Sequence, residues 1–119
     1  MAGSVTIAAS LTGLPQGTLS FPPLTIVPSA NNELATTVVS LASGANTITV
    51  PTGFTPSGVV MIPPSTNTQS LTLKGVTGDT GIAVSPNEPS LLNFASSPPS
   101  TFVVTAGGTI SAGTSFVFF

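Results

Sequence analysis

Proline and glycine constrain this chain more than any other feature: there are twelve of each in 119 residues. Proline fixes φ and lacks an N–H, so it is kept out of helix interiors and central strands. With Gly, Ser and Thr, the prolines punctuate the chain heavily, the pattern of many short strands joined by turns. Between those turns the apolar residues follow a period of two. Val5, Ile7, Ala9 and Leu11 alternate with Thr6, Ala8 and Ser10, and Asn46-Thr47-Ile48-Thr49-Val50 alternates up to Pro51. That is the pattern of half-buried strands.

Further strands are expected at Leu19 and Phe21, where Pro22-Pro23 stops the segment, and at Leu24 to Val27, ended by Pro28. Others follow at 70–74, 81–84, 91–94, 102–104 and 114–119. A helix competes only over 34–42, and β-branched Thr36 and Thr37 weigh against it there. Val59-Val60-Met61-Ile62 is an unbroken apolar run closed by Pro63-Pro64. Such a run predicts a strand buried on both sides.

About ten short strands at roughly 8–12-residue spacing predict an all-β fold. The expectation is an antiparallel β-sandwich (jelly-roll-like) or a small barrel over residues 31–119. Residues 1–30, crowded with proline, are expected as an extended Pro-rich N-terminal arm or edge strands.

Composition then narrows the function. Hydrophobic residues make up 40% of the chain, enough to drive folding, while charged residues make up only 3%. The four charges are Glu33, Lys74, Asp79 and Glu88. One lysine and no arginine argue against nucleic acid and against anionic membranes as partners. The chain has no cysteine and no histidine. That removes thiolate chemistry, histidine-based triads and the usual zinc or iron ligands, so no cofactor or metal is expected. Met1-Ala2-Gly3-Ser4 carries neither a basic region nor an apolar run of the secretory kind.

The segment Val76-Thr77-Gly78-Asp79-Thr80-Gly81-Ile82 contains Asp-Thr-Gly, the triplet of aspartic proteases. In short dimeric proteases of the retroviral type it lies near the N-terminus and is followed by Ala or Ser. Here it lies two thirds along the chain and is followed by Ile82. The dyad chemistry needs two carboxylates sharing a proton. The flanking pattern instead predicts a turn, with Asp bonding nearby backbone and Gly permitting positive φ. Lys74 and Asp79 are expected to pair across that turn or to join a contact between subunits.

Glu33 and Glu88 fall in turn clusters, and nothing in the sequence places them together as an acid/base pair. The closing Phe116-Val117-Phe118-Phe119 is similar to the end of outer-membrane barrels, but Tyr and Trp girdles are missing and a core strand is expected. The loops lack a P-loop ending.

Lack of charge is the most informative property. Ions keep free soluble domains apart, whereas neutral hydroxyls and amides cost less to bury. Interface cores are depleted in charge. Much of this surface is therefore expected to be covered by other subunits, with the proline-rich start docking on a neighbour's open edge.

Three stretches, Gly58 to Ser65, Leu71 to Ile82 and the closing Phe-Val-Phe-Phe, resemble small β-sandwich virion structural proteins of tailed bacteriophages. The resemblance covers about residues 44–119. It implies a non-enzymatic protein, assembled in the bacterial host cytoplasm into the virion. The first expectation is a capsid decoration protein, trimeric, whose partners are its own copies and a major capsid or tail protein, with no small-molecule substrate. A minor tail or fibre role is the alternative within that class. A secreted carbohydrate-binding module using Asn67, Gln69 and Asn87 is the alternative outside it, disfavoured by the missing Trp and Tyr. Candidate subunit contacts are Leu24, Ile26, Lys74, Asp79, Phe118 and Phe119.

Overall fold

The computed structural model describes the backbone of residues 5–14, 17–26 and 35–119, and the side chains of 35–119. Every regular element described is a strand: β1 (Val5–Leu14), β2 (Gly17–Ile26), β3 (Ala35–Leu41), β4 (Gly44–Thr49) and β5 (Gly58–Ile62), then β6 (Leu71–Lys74), β7 (Ile82–Val84), β8 (Ser90–Asn93), β9 (Thr101–Ala106) and β10 (Ile110–Phe118). The segment where a helix competed is strand β3.

β1 and β2 pair with each other in a two-stranded sheet. Contrary to expectation, Pro22-Pro23 does not end a strand: β2 runs through it. The register shifts there, from Ile7↔Leu24 to Ala9↔Phe21, so the prolines occupy the bulge. A bulge on a two-stranded ribbon has no ladder partner to lose, which is where proline is tolerated.

The other eight strands form two antiparallel sheets of four, ordered β3-β10-β5-β8 and β4-β9-β6-β7. The pairings are nested: β3 with β10, β4 with β9, β5 with β8 and β6 with β7. Pairs β5–β10 and β6–β9 complete the sheets.

The two sheets face each other across one core. Leu41, Val59, Met61, Phe116 and Phe118 come from the first sheet, and Ile48, Leu71, Phe102, Val104 and Ala106 from the second. Phe102 meets Phe116 edge-on across the gap, with ring centroids 6.1 Å apart and planes at 63°. Phe119 ends the chain fully buried. Its carbonyl accepts from the Ser57 and Gly58 amides at 2.5 and 3.2 Å, and its own amide donates to the Gly58 carbonyl at 3.1 Å. Gly58 makes that closure possible. A Cβ there would lie 2.6 Å from both the Phe119 ring and the Leu92 carbonyl oxygen.

Asn67 is buried between two loops. Its amide nitrogen donates to the carbonyls of Pro86 (2.6 Å) and Gln69 (3.0 Å), and its Oδ1 accepts from the Gln69 amide at 3.0 Å. It thereby ties the β5–β6 loop to the β7–β8 loop. Asn67→Ala leaves those carbonyls without their donor and is expected to lower stability by about 1–3 kcal/mol. Urea unfolding measures the loss, and a change below the error of the fit contradicts this role.

Candidate interaction surface

The Asp-Thr-Gly segment is a turn. The Asp79 amide donates to the Val76 carbonyl at 3.1 Å, and the Val76 amide donates back to Asp79 Oδ2 at 2.9 Å. Gly81 follows at φ +76°, the left-handed region that favours glycine. The Asp79 carboxylate thus caps its own turn, and its hydrogen bond goes to Val76 where a pairing with Lys74 was expected. Lys74 ends β6, half-buried, opposite Val103. Among the described residues, no group of acidic, histidine or cysteine side chains is placed to hold a metal.

The informative surface is apolar. On the β3-β10-β5-β8 sheet, Val59 and Met61 point into the core, so Val60 and Ile62 lie on the outer face. The register extends that face across the sheet: Val117 lies opposite Val60, and Leu91 lies opposite Val60 on the other side. Val38 lies opposite Ser115, which lies opposite Ile62. Val60 and Val117 are half-buried, while Val38, Ile62 and Leu91 are 63, 40 and 37% exposed. No residue in these four strands is charged.

This corrects the expectation that 59–62 is buried on both sides. Within the chain the run is covered on its inner side, and its outer side ends in open apolar surface. The sequence carries the matching signal. Val59-Val60-Met61-Ile62 and Leu91-Leu92 are apolar in both phases of the alternation, whereas a strand with one wet face is apolar in one.

A second apolar feature lies where the sandwich ends at strands β7 and β8. Both are edge strands, one from each sheet. Ile82 lies opposite Leu73, which lies opposite the buried Val104, so Ile82 belongs to a core-facing row. Leu92 lies opposite the buried Val59 and belongs to the other. Yet Ile82 is 72% exposed and Leu92 38%. The core rows run out into solvent here, forming a groove of about 720 Å³ lined by Leu73, Ile82, Val84, Leu92, Phe94 and Phe102. Lys74 and Asp79 also line it. Neither edge strand carries the lysine or proline that blunts an open edge.

The candidate contacts divide accordingly. Lys74 and Asp79 both line the groove. Phe118 and Phe119, expected at a contact between subunits, are fully buried in the chain, so neither ring presents surface. A strand covered on its inner face by a second sheet swallows every second residue, and Phe119 is locked by its bonds to Gly58. Leu24 and Ile26 lie in β2, opposite Ile7 and Val5, and their side chains lie outside the described residues. Of the polar loop residues suggested for a sugar, Asn67 is committed to the bonds above, while Gln69 and Asn87 are exposed. Comparison of the chain with protein-family models, with curated proteins and with solved structures finds no match.

Proposed function

We propose that the chain is a non-enzymatic structural subunit of a bacteriophage virion, a capsid decoration protein that binds its own copies and the shell. One observation carries this reading: the charge-free outer face on which Val38, Val60, Ile62, Leu91 and Val117 lie together. A contiguous exposed apolar patch marks a surface that meets another macromolecule. Covering the part of one such side chain that is still exposed contributes at most about 1–2 kcal/mol, since roughly 1.5–3 kcal/mol is the figure for full burial. Association costs about 4–15 kcal/mol, so a patch of this size needs repeated copies or a large partner.

The nested strand pairing supports reading the sandwich as a jelly roll, the eight-stranded architecture built from two Greek keys that also serves in viral capsids. A trimer is the favoured assembly, held by the outer face, with the extended N-terminal residues reaching a neighbour. Decoration then strengthens a shell by mass action, because free energy of binding to the folded lattice adds to its stability.

Val38→Asp and Ile62→Asp test the reading. Each places a carboxylate on the outer face at a position away from the core, where the loss of strand propensity costs about 1 kcal/mol and leaves the fold in place. Light scattering is expected to show an oligomer for the parent chain and a monomer for either variant. Sedimentation with phage shells is expected to retain the parent and lose both variants. A parent chain that is monomeric and ignores every shell overturns the proposal.

A further inference from the structure

We propose that the groove between β7 and β8 is closed by the β1–β2 ribbon of a second copy of this chain. The inference rests on the self-assembling reading above and adds a second contact to the one made by the outer face. The groove is an unfinished core: Ile82 and Leu92 stand in core-facing rows that, among the described residues, no further strand covers. What completes such an opening is an extended element with one apolar face and no charge.

The ribbon has that character. Its register sets Val5 opposite Ile26, Ile7 opposite Leu24, Ala9 opposite Phe21 and Leu11 opposite Leu19. The alternate rows set Thr6 opposite Thr25 and Ser10 opposite Ser20. The bulge at Pro22-Pro23 is what keeps these rows in phase, since without it apolar would meet polar beyond Ile7. Directly opposed residues share a face of a sheet, so the register places these apolar pairs at positions of one face and the Thr and Ser pairs at positions of the other. A lone two-stranded ribbon is marginal in water, and its apolar face needs a cover. No residue of β1 or β2 is charged, so docking desolvates no ion of the ribbon.

Topology favours a neighbour's groove. The ribbon is joined to β3, and β3 and β8 are opposite edges of one sheet, with β10 and β5 between them. The groove opens beyond β8, away from the edge where the ribbon is attached. A ribbon from one copy in the groove of the next is a head-to-tail contact, which closes into a ring when the rotation permits. A trimer is one such ring.

The chain's lack of cysteine allows a direct test. Ala9→Cys and Ile82→Cys are made in separate full-length chains, mixed, and oxidised. The expected product is a disulfide-linked mixed pair, absent when either is oxidised alone. In the doubly substituted chain, a ladder of linked multimers is expected on a non-reducing gel; an internal disulfide with no ladder shows the ribbon in its own groove and overturns the proposal. Leu11→Asp and Ile82→Asp are each expected to reduce the mass seen by light scattering to that of one chain. An assembly that survives both substitutions but falls to Val38→Asp overturns the ribbon contact and leaves the outer-face reading intact. A parent chain that is itself monomeric overturns both.

Discussion

Phe116→Ala is expected to cost about 3–5 kcal/mol, the range for removing a large buried aromatic side chain. Phe116 sits in β10, the strand between β3 and β5, and is fully buried. Its ring meets Phe102 from the opposite sheet, so the substitution removes contacts on both layers. Such an edge-on pair contributes roughly 0.5–1.5 kcal/mol beyond the buried area. The neighbouring rings cannot collapse into the space easily, because Phe118 is also engaged with Phe102, at 6.5 Å. Domains of this size have about 5–15 kcal/mol of stability in all. The variant should therefore unfold at much lower urea, with an unchanged dependence on denaturant, and at the low end of that range should be partly unfolded without it. A loss below about 1 kcal/mol contradicts this account of the core.

Gly81→Ala is expected to be the most damaging of the small substitutions outside the core. Two independent effects add. A non-glycine residue held at φ +76° costs about 1–3 kcal/mol. A Cβ at this position would also lie 2.5 Å from the Leu73 carbonyl oxygen and 2.7 Å from Thr72 Cγ2. The carbonyl is backbone and cannot swing aside as a side chain does. The β6–β7 hairpin must open to accept even a methyl group. Since β7 forms one wall of the groove, the variant should also displace that wall. The comparison with Gly53→Ala is the control. Gly53 has open space where its Cβ would go, so that substitution should be close to neutral. Equal effects at the two positions refute the steric argument.

Local signals in the sequence carried most of the strands. Period-two alternation and proline stops marked the positions of β4 and β6, because these depend on residues next to one another in the chain. Thr36 and Thr37 weighed correctly against a helix, since β-branching acts within a residue. The turn at Asp79 was legible for the same reason: its hydrogen bonds reach only to Val76. The prolines at 22 and 23 misled, because tolerance of proline depends on what lies beside the strand, and that partner is β1 across the ribbon.

By itself, then, the sequence determined an all-β chain and a surface almost free of charge, because composition and alternation are properties of the chain alone. Only the tertiary structure decided which apolar residues are core and which are surface. Phe118 and Phe119 went inside, while Val38, Ile62 and Leu91 were left on one outer face and Ile82 and Leu92 at an open edge. The physical reason is that burial depends on register between strands distant in sequence. β3 and β10, the first and last strands of the sandwich in sequence, must pair before Val38 and Val117 belong to the same surface.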